Sequence, residues 1–138
     1  VSTLNDCIRF FGMLSGRGKL GDVRILQAGT VEQYCFADLL PACIASGRQQ
    51  RAWGKPLGWT AIGEVGLTTG PKDVVSDAKY NNFEVGEVGY GGAACTFWCL
   101  NPSHELALLW FTQSLDNEPF VTDNESIYFA ARRAVAPR

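Results

Sequence analysis

A chain of 138 residues with 46% apolar and 19% charged side chains has the length and apolar content of one packed domain, which argues against disorder. Its formal net charge of −2 supplies no basic footprint, so nucleic acid is set aside as a partner. The longest apolar run, Leu106 to Phe111, is of strand length and far short of the roughly 20 residues that cross a bilayer, so no transmembrane segment is expected.

In chain order, Ser2 and Thr3 offer hydroxyl caps and Asp6 follows Thr3 by three positions. Leu4, Cys7, Ile8, Phe11 and Leu14 then recur at helical spacing, which predicts a helix over about residues 3–15. The cluster Gly16-Arg17-Gly18 stops it, since glycine adopts the left-handed stop conformation without steric cost. Lys19-Leu20 and Val23 to Leu26 flank Gly21-Asp22 and read as a small hairpin. Thr30 followed by Gln33 reads as a second capping box, opening a helix toward Phe36. Asp38 to Pro56 is ambiguous, with a helical flavour near Leu39 to Ile44 and a polar turn over Arg48 to Arg51. Residues 1–57 thus form a mainly helical segment.

From Gly58 the period changes to two. Trp59, Ala61, Gly63, Val65 and Leu67 share one face and Thr60, Ile62, Glu64 and Thr68 the other, which predicts a single strand ended by Thr69-Gly70-Pro71. Lys72 to Glu87 reads as a long polar surface loop; Glu84 and Glu87 near the motif could face a cleft, but isolated loop carboxylates are usually solvent-exposed and neither is assigned a role. Glycine-rich Val88 to Thr96 runs on into Phe97 to Leu100, Asn101-Pro102-Ser103 makes a turn, and Leu106 to Gln113 returns as a strand. Asn124 caps a last helix whose Ile127, Ala131 and Ala134 share a face while Arg132 and Arg133 face water. The sum is α+β: one partial domain over 1–138, with about three antiparallel strands and a C-terminal helix in residues 58–138. So small a sheet leaves an unpaired edge, which points to missing strands.

The five cysteines, Cys7, Cys35, Cys43, Cys95 and Cys99, are odd in number and lie in apolar stretches. That pattern favours free buried thiols and a reducing compartment, with one bridge left open. Cys95 and Cys99 lack zinc-type spacing, because four strand residues separate two atoms by roughly 13 Å. No metal and no cofactor is expected. The chain begins at Val1 with no signal segment after it, so the expectation is that something precedes it in its gene or did before processing.

One stretch is richer in motif. Gly89-Tyr90-Gly91-Gly92-Ala93-Ala94 runs into Cys95-Thr96-Phe97-Trp98-Cys99-Leu100-Asn101-Pro102 and is followed by Leu108 to Gln113. This segment resembles the third-motif strand and its hairpin partner in class C-type serine β-lactamase-like and penicillin-binding-protein-like hydrolases, on the esterase-leaning side. There the third motif is Lys-Thr-Gly in true β-lactamases and aromatic- or His-Gly-Gly in many esterases. Val1-Ser2-Thr3 with the helix to Leu14, Gly18 to Leu26 and Thr30-Val31-Glu32 also resemble the family, as do Gly58 to Gly63 and Ile127 to Val135, so the resemblance covers nearly the whole chain. It implies the C-terminal half of a β-lactamase/transpeptidase-like fold. Tyr90, Gly91, Gly92 and Ala93 would form the substrate-binding wall, with the Ala93 N–H as one of two oxyanion-hole donors. Two glycines on a strand leave the backbone open to an acyl group, although by themselves they equally serve close packing or a bulge.

The same resemblance places the nucleophile in a Ser-x-x-Lys and an activating Tyr-x-Asn upstream of the matched region, so no catalytic residue is assigned within this chain. Ser76-Asp77-Ala78-Lys79 and Tyr80-Asn81-Asn82 match those patterns literally, yet they fall in the wrong order and abut too closely to converge. A phenol at position 90 supplies no positive charge for a substrate carboxylate, which a lysine would, so β-lactamase or transpeptidase activity is not expected. His104, between Ser103 and Glu105, reads as a solvated turn residue and no triad. Trp53, Trp59, Trp98 and Trp110 read as core and sheet-face aromatics. Two functional expectations result. The chain is the C-terminal lobe of an esterase-type hydrolase, inactive alone, whose partner is the missing N-terminal half; or it is a catalytically dead domain serving as an accessory subunit of a larger assembly. An unrelated binding domain is a third reading.

Overall fold

The computed structural model describes residues 2–41, 57–67, 83–92, 94, 96–113, 130, 131 and 133–135. Helix α1, Leu4–Ser15, is capped as its sequence predicts: the Thr3 hydroxyl oxygen accepts from the Asp6 N–H at 3.2 Å and its O–H donates to the Asp6 carboxylate at 2.7 Å. The stop uses a different residue than expected. Gly16 keeps a negative φ, and the left-handed positions are Arg17, at φ 51°, and Gly18, at φ 85°, whose N–H reaches back to the Met13 carbonyl at 2.8 Å. The hairpin β1 (Lys19–Leu20) and β2 (Val23–Arg24) follows, turning on Gly21 at φ 59°.

The second helix begins earlier than the Thr30–Gln33 box predicts. Helix α2 spans Ala28–Val31 from an N-cap Gln27 that makes no side-chain cap bond, and the chain then widens into a π-helical turn, Glu32–Phe36. Thr30 therefore lies inside the helix. The carbonyl of Tyr34, one of the orphaned acceptors at this helix end, takes the N–H of Ala61 at 2.7 Å.

The sheet has five antiparallel strands, against the about three expected. They are β3 (Leu57–Trp59), β4 (Glu64–Gly66), β5 (Val88–Gly91), β6 (Phe97–Asn101) and β7 (Leu106–Trp110), in that spatial order. Two of the expected long strands are hairpins. In the first, the Thr60 hydroxyl accepts from the N–H groups of Ile62 and Gly63, each at 3.1 Å, and donates to the Gly63 carbonyl at 3.0 Å. Such side-chain-to-backbone bonds compete with the ladder and fold the run back on itself. In the second, the chain reverses between Gly92 and Thr96, with the Gly92 N–H on the Thr96 carbonyl at 2.8 Å. The β6–β7 hairpin around Asn101-Pro102-Ser103 stands as read from the sequence. The fold class is α+β.

Phe11, Met13, Leu14, Val31, Cys35 and Leu100 form the core where α1 and the second helix meet the sheet, with Ile62, Trp98 and Leu109 packed around them. The Phe11 and Trp98 rings stack at 4.6 Å. Cys35 and Cys99 are buried free thiols and Cys7 is a half-buried one, while Cys43 and Cys95 lie outside the described residues. Of the C-terminal helix, residues 130, 131 and 133–135 are described and helical, and Ala134 and Arg133 are both exposed. No described helix is long and apolar enough to cross a membrane.

Candidate active site

Strand β5 is third of five, yet its two flanks are not equally filled. On one side Val88, Gly89, Tyr90 and Gly91 pair with Leu100, Cys99, Trp98 and Phe97 of β6. On the other, pairing with β4 stops after Val65↔Val88 and Glu64↔Gly89, because the chain turns away at Thr60–Gly63. The β5–β6 hairpin therefore overreaches the β3–β4 hairpin by the residues of the Tyr-Gly-Gly motif. Burial follows that geometry: Val88 and Gly89 are buried, whereas Tyr90 is 46% exposed and Gly92 is exposed. Among the described residues, a strand at the middle of the sheet thus has no ladder partner on its β4 side at the motif end.

Gly92 has a local reason to be glycine. A Cβ there would collide with the Thr96 hydroxyl oxygen, so a larger residue in this reversal requires the Thr96 side chain to turn away. The tip is also fastened from outside, by the Thr112 hydroxyl donating to the Ala94 carbonyl at 2.6 Å. Ala93, the implied oxyanion donor, lies outside the described residues, as do Ser76, Lys79, Tyr80 and Trp53.

Facing the overhang is a residue the sequence reading placed only among core aromatics. The Trp59 ring lies 5.4 Å from that of Tyr90, tilted by 57°. The Trp59 backbone is held twice: its N–H donates to the Asp38 carboxylate at 3.0 Å, and its carbonyl accepts from the Leu39 N–H at 2.8 Å. Asp38 also takes the Leu40 N–H at 3.0 Å, an Asx turn that aims the carboxylate. Gly58 completes the clamp, since a Cβ there would overlap the Asp38 carboxyl group. Only the Asp38-Leu39-Leu40 turn could have signalled this from sequence, and its partner lies 21 residues away.

A second polar group lies at the opposite end of β5. Glu87 is wholly buried, contrary to the surface loop expected there. Its carboxylate accepts the Glu84 N–H at 2.9 Å, and the Asn101 amide donates to Glu84 at 2.9 Å and Glu87 at 3.5 Å. The Asn101 carbonyl oxygen takes the N–H groups of Ser103 and His104 at 3.0 and 3.2 Å. His104, read as solvated, is instead partly buried with Nε2 2.9 Å from the Glu84 carboxylate. Burial, reinforced by the neighbouring Glu87 carboxylate, pushes the Cys99 thiol far up, which makes it inert. Burial likewise raises the Cys35 thiol. Both polar atoms of the Asn101 side chain are engaged, so this group ties the start of β5 to the β6–β7 turn. Three positions along β6 separate Asn101 from Trp98, the partner of Tyr90, roughly 10 Å, and its groups do not converge on Tyr90. Beside it a cleft of about 390 Å³ is lined by Leu14, Arg17, Glu32, Phe36, Leu100 and Asn101, with the Arg17–Glu32 ion pair at 3.1 Å exposed on its rim.

Among the described residues no group of three histidine, cysteine or acidic side chains is arranged to hold a metal ion. Comparison with known proteins adds no identity. No protein-family model and no curated protein sequence matches the chain. What the arrangement offers chemically is a stretch of backbone open on one flank, carrying an exposed phenol and closed at one corner by a clamped indole. Among the described residues of this arrangement no nucleophile is paired with a base.

Proposed function

We propose that this chain is the C-terminal lobe of a serine hydrolase of the β-lactamase-like type, acting on esters, with the nucleophile supplied by an N-terminal half. One observation carries the reading: Tyr90 and Gly91 pair with β6 only, so the motif strand keeps a free flank where an acyl group can lie against the main chain. In this reading Tyr90, Gly91, Gly92 and Ala93 form one wall of the cleft, and the Ala93 N–H is one of two donors that stabilise the oxyanion. The serine that attacks, and the groups that activate it, come from the partner half.

A second reading, the accessory subunit without catalysis, is favoured by the far edge of the sheet. Among the described residues strand β7 has no partner strand beyond it, and the Trp110 indole N–H at its end is buried without an acceptor. Such an edge suits burial against another protein.

Labelling of the full coding product with a fluorophosphonate probe, together with p-nitrophenyl butyrate hydrolysis, separates the two. The hydrolase reading expects label on a serine of an upstream Ser-x-x-Lys, and none on the 138-residue chain by itself. Label on Ser76 would move the nucleophile into this chain; absence of label and turnover in the full product leaves the accessory subunit.

A further inference from the structure

The cleft walled by the end of α1, the π-helical turn and the β6–β7 turn shares no lining residue with the Tyr90 strand, and three irregularities of the backbone meet at it. Glu32 and Phe36, the first and last residues of the π-helical turn, stand on one wall. Arg17 and Glu105 stand on the others, and among the described residues these two are the non-glycine residues with a left-handed backbone, each at φ 51°. Arg17 follows the helix cap and Glu105 is the last residue before β7, both places where glycine takes this conformation without steric cost. Neither turn needs a charged side chain there. The helix stop is held by backbone bonds from Arg17 to Leu14 and from Gly18 to Met13, and the hairpin turn by the Asn101 side chain, which takes the Ser103 and His104 N–H groups. Residues held in sparsely populated backbone regions cluster at ligand sites, and here both charged ones border a single cavity.

We propose that this cleft binds a small ligand carrying an ammonium group on an apolar body, of the arylalkylamine class; the proposal goes beyond the hydrolase reading and does not depend on it. The volume of about 390 Å³ lies in the range of small-molecule sites. Leu14 and Leu100, both buried, and Phe36 give the cleft an apolar floor for the ligand's body. The charges around it select the sign of the ligand. Arg17 and Glu32 offset one another across 3.1 Å, whereas Glu105 is exposed and carries no ion pair among the described residues. The lining therefore keeps one net negative charge. An anion would meet two carboxylates and a guanidinium already engaged, a neutral ligand would leave the charge of Glu105 unanswered, and an ammonium group complements it. Because these groups are solvent-exposed, the attraction weakens with salt.

The test varies the charge of the ligand and of the cleft in turn. The full chain is titrated at low ionic strength with 3-phenylpropylamine, 3-phenylpropan-1-ol and 3-phenylpropanoate, read by amide chemical shifts. The amine is expected to bind saturably, at least about fivefold more tightly than the alcohol and about tenfold more tightly than the carboxylate, with shifts centred on Ser15, Phe36 and Asn101. About 0.5 M sodium chloride is expected to remove most of the preference over the alcohol. Glu105→Gln is expected to bring the amine to within about twofold of the alcohol while leaving the alcohol unchanged. Glu105→Gly is expected to do the same and to raise the thermal midpoint, since glycine relieves the left-handed backbone, so lost binding is told apart from lost folding. Absence of saturable amine binding, an alcohol or carboxylate that binds as tightly, an amine affinity that Glu105→Gln leaves intact, or shifts centred on other residues overturns the proposal. None of these readouts involves ester turnover, so the hydrolase reading stands or falls separately.

Discussion

The two edges of the five-stranded sheet are finished in opposite ways. At the β3 edge, Asp38 and Leu39 lie alongside Trp59 and take up its N–H and carbonyl, so the outermost ladder groups are covered by the chain's own turn. At the β7 edge, Leu106-Ala107-Leu108-Leu109-Trp110 carries no charge, no proline and no covering segment among the described residues, and it leaves a buried indole N–H unsatisfied. Long apolar edges of this kind promote pairing with another chain. The contrast teaches that, among the described residues, the chain's own turn covers the sheet edge beside the candidate site while the β7 edge carries no such cover.

Removing the clamp is the most damaging way to erase that contrast. Asp38→Ala strips the acceptor from two N–H groups, those of Leu40 and Trp59, and is expected to cost about 2–4 kcal/mol of unfolding free energy in urea titrations. Gly58→Ala attacks the same clamp by overlap with the Asp38 carboxyl and is expected to cost about 1–3 kcal/mol. Loss below 0.5 kcal/mol in both would mean that the β3 edge is as bare as the β7 edge.

The sheet interior between the edges supplies a smaller, pH-dependent signal. Burial and Glu87 keep the Cys99 thiol protonated in the folded state well past its ordinary value of 9.0. The unfolded chain then releases that proton first, so stability is intact below about pH 9 and declines above it, by about 1 kcal/mol at pH 10. Comparing denaturation at pH 8 and pH 10 checks this, and Cys99→Ala is expected to flatten the difference by about that amount. An unaltered slope in the variant would place the proton elsewhere.

The gentlest change addresses the bare edge directly. Ala107 is exposed in the middle of β7, and Ala107→Lys is expected to leave stability within about 0.5 kcal/mol while abolishing concentration-dependent association of the 138-residue chain. Light scattering across a dilution series reads both proteins. Association that survives the lysine would assign it to another surface, such as the exposed Leu4, Ile8 and Phe10 of α1.

What was legible in the sequence was what is decided locally. The Thr3 cap, the Gly21 turn and the β6–β7 hairpin each rest on residues within a few positions of one another, and each stands. The period-two run over 58–67 and the glycine-rich run from Val88 into Leu100 misled, because neither carries a mark of the tight reversal inside it. Thr60 and Gly92 make those reversals, by a hydroxyl bridge and by an absent side chain, and neither changes the pattern. Glu87 carried no assignment, as one more loop carboxylate, since its partner Asn101 is 14 residues distant. At the candidate site Tyr90, Gly91 and Gly92 were named from sequence, whereas Trp59 was not, since only the folded hairpins bring positions 59 and 90 together.

The widened turn at Glu32–Phe36 has a consequence for how such a molecule changes over time. Tyr34 hands its carbonyl across to Ala61, and so helix length is geared to the hairpin that carries Trp59. Adding or removing one residue in that turn would shift the point at which Tyr34 meets Ala61 and would displace the buried Cys35, so a single insertion is felt by the hairpin and the core together.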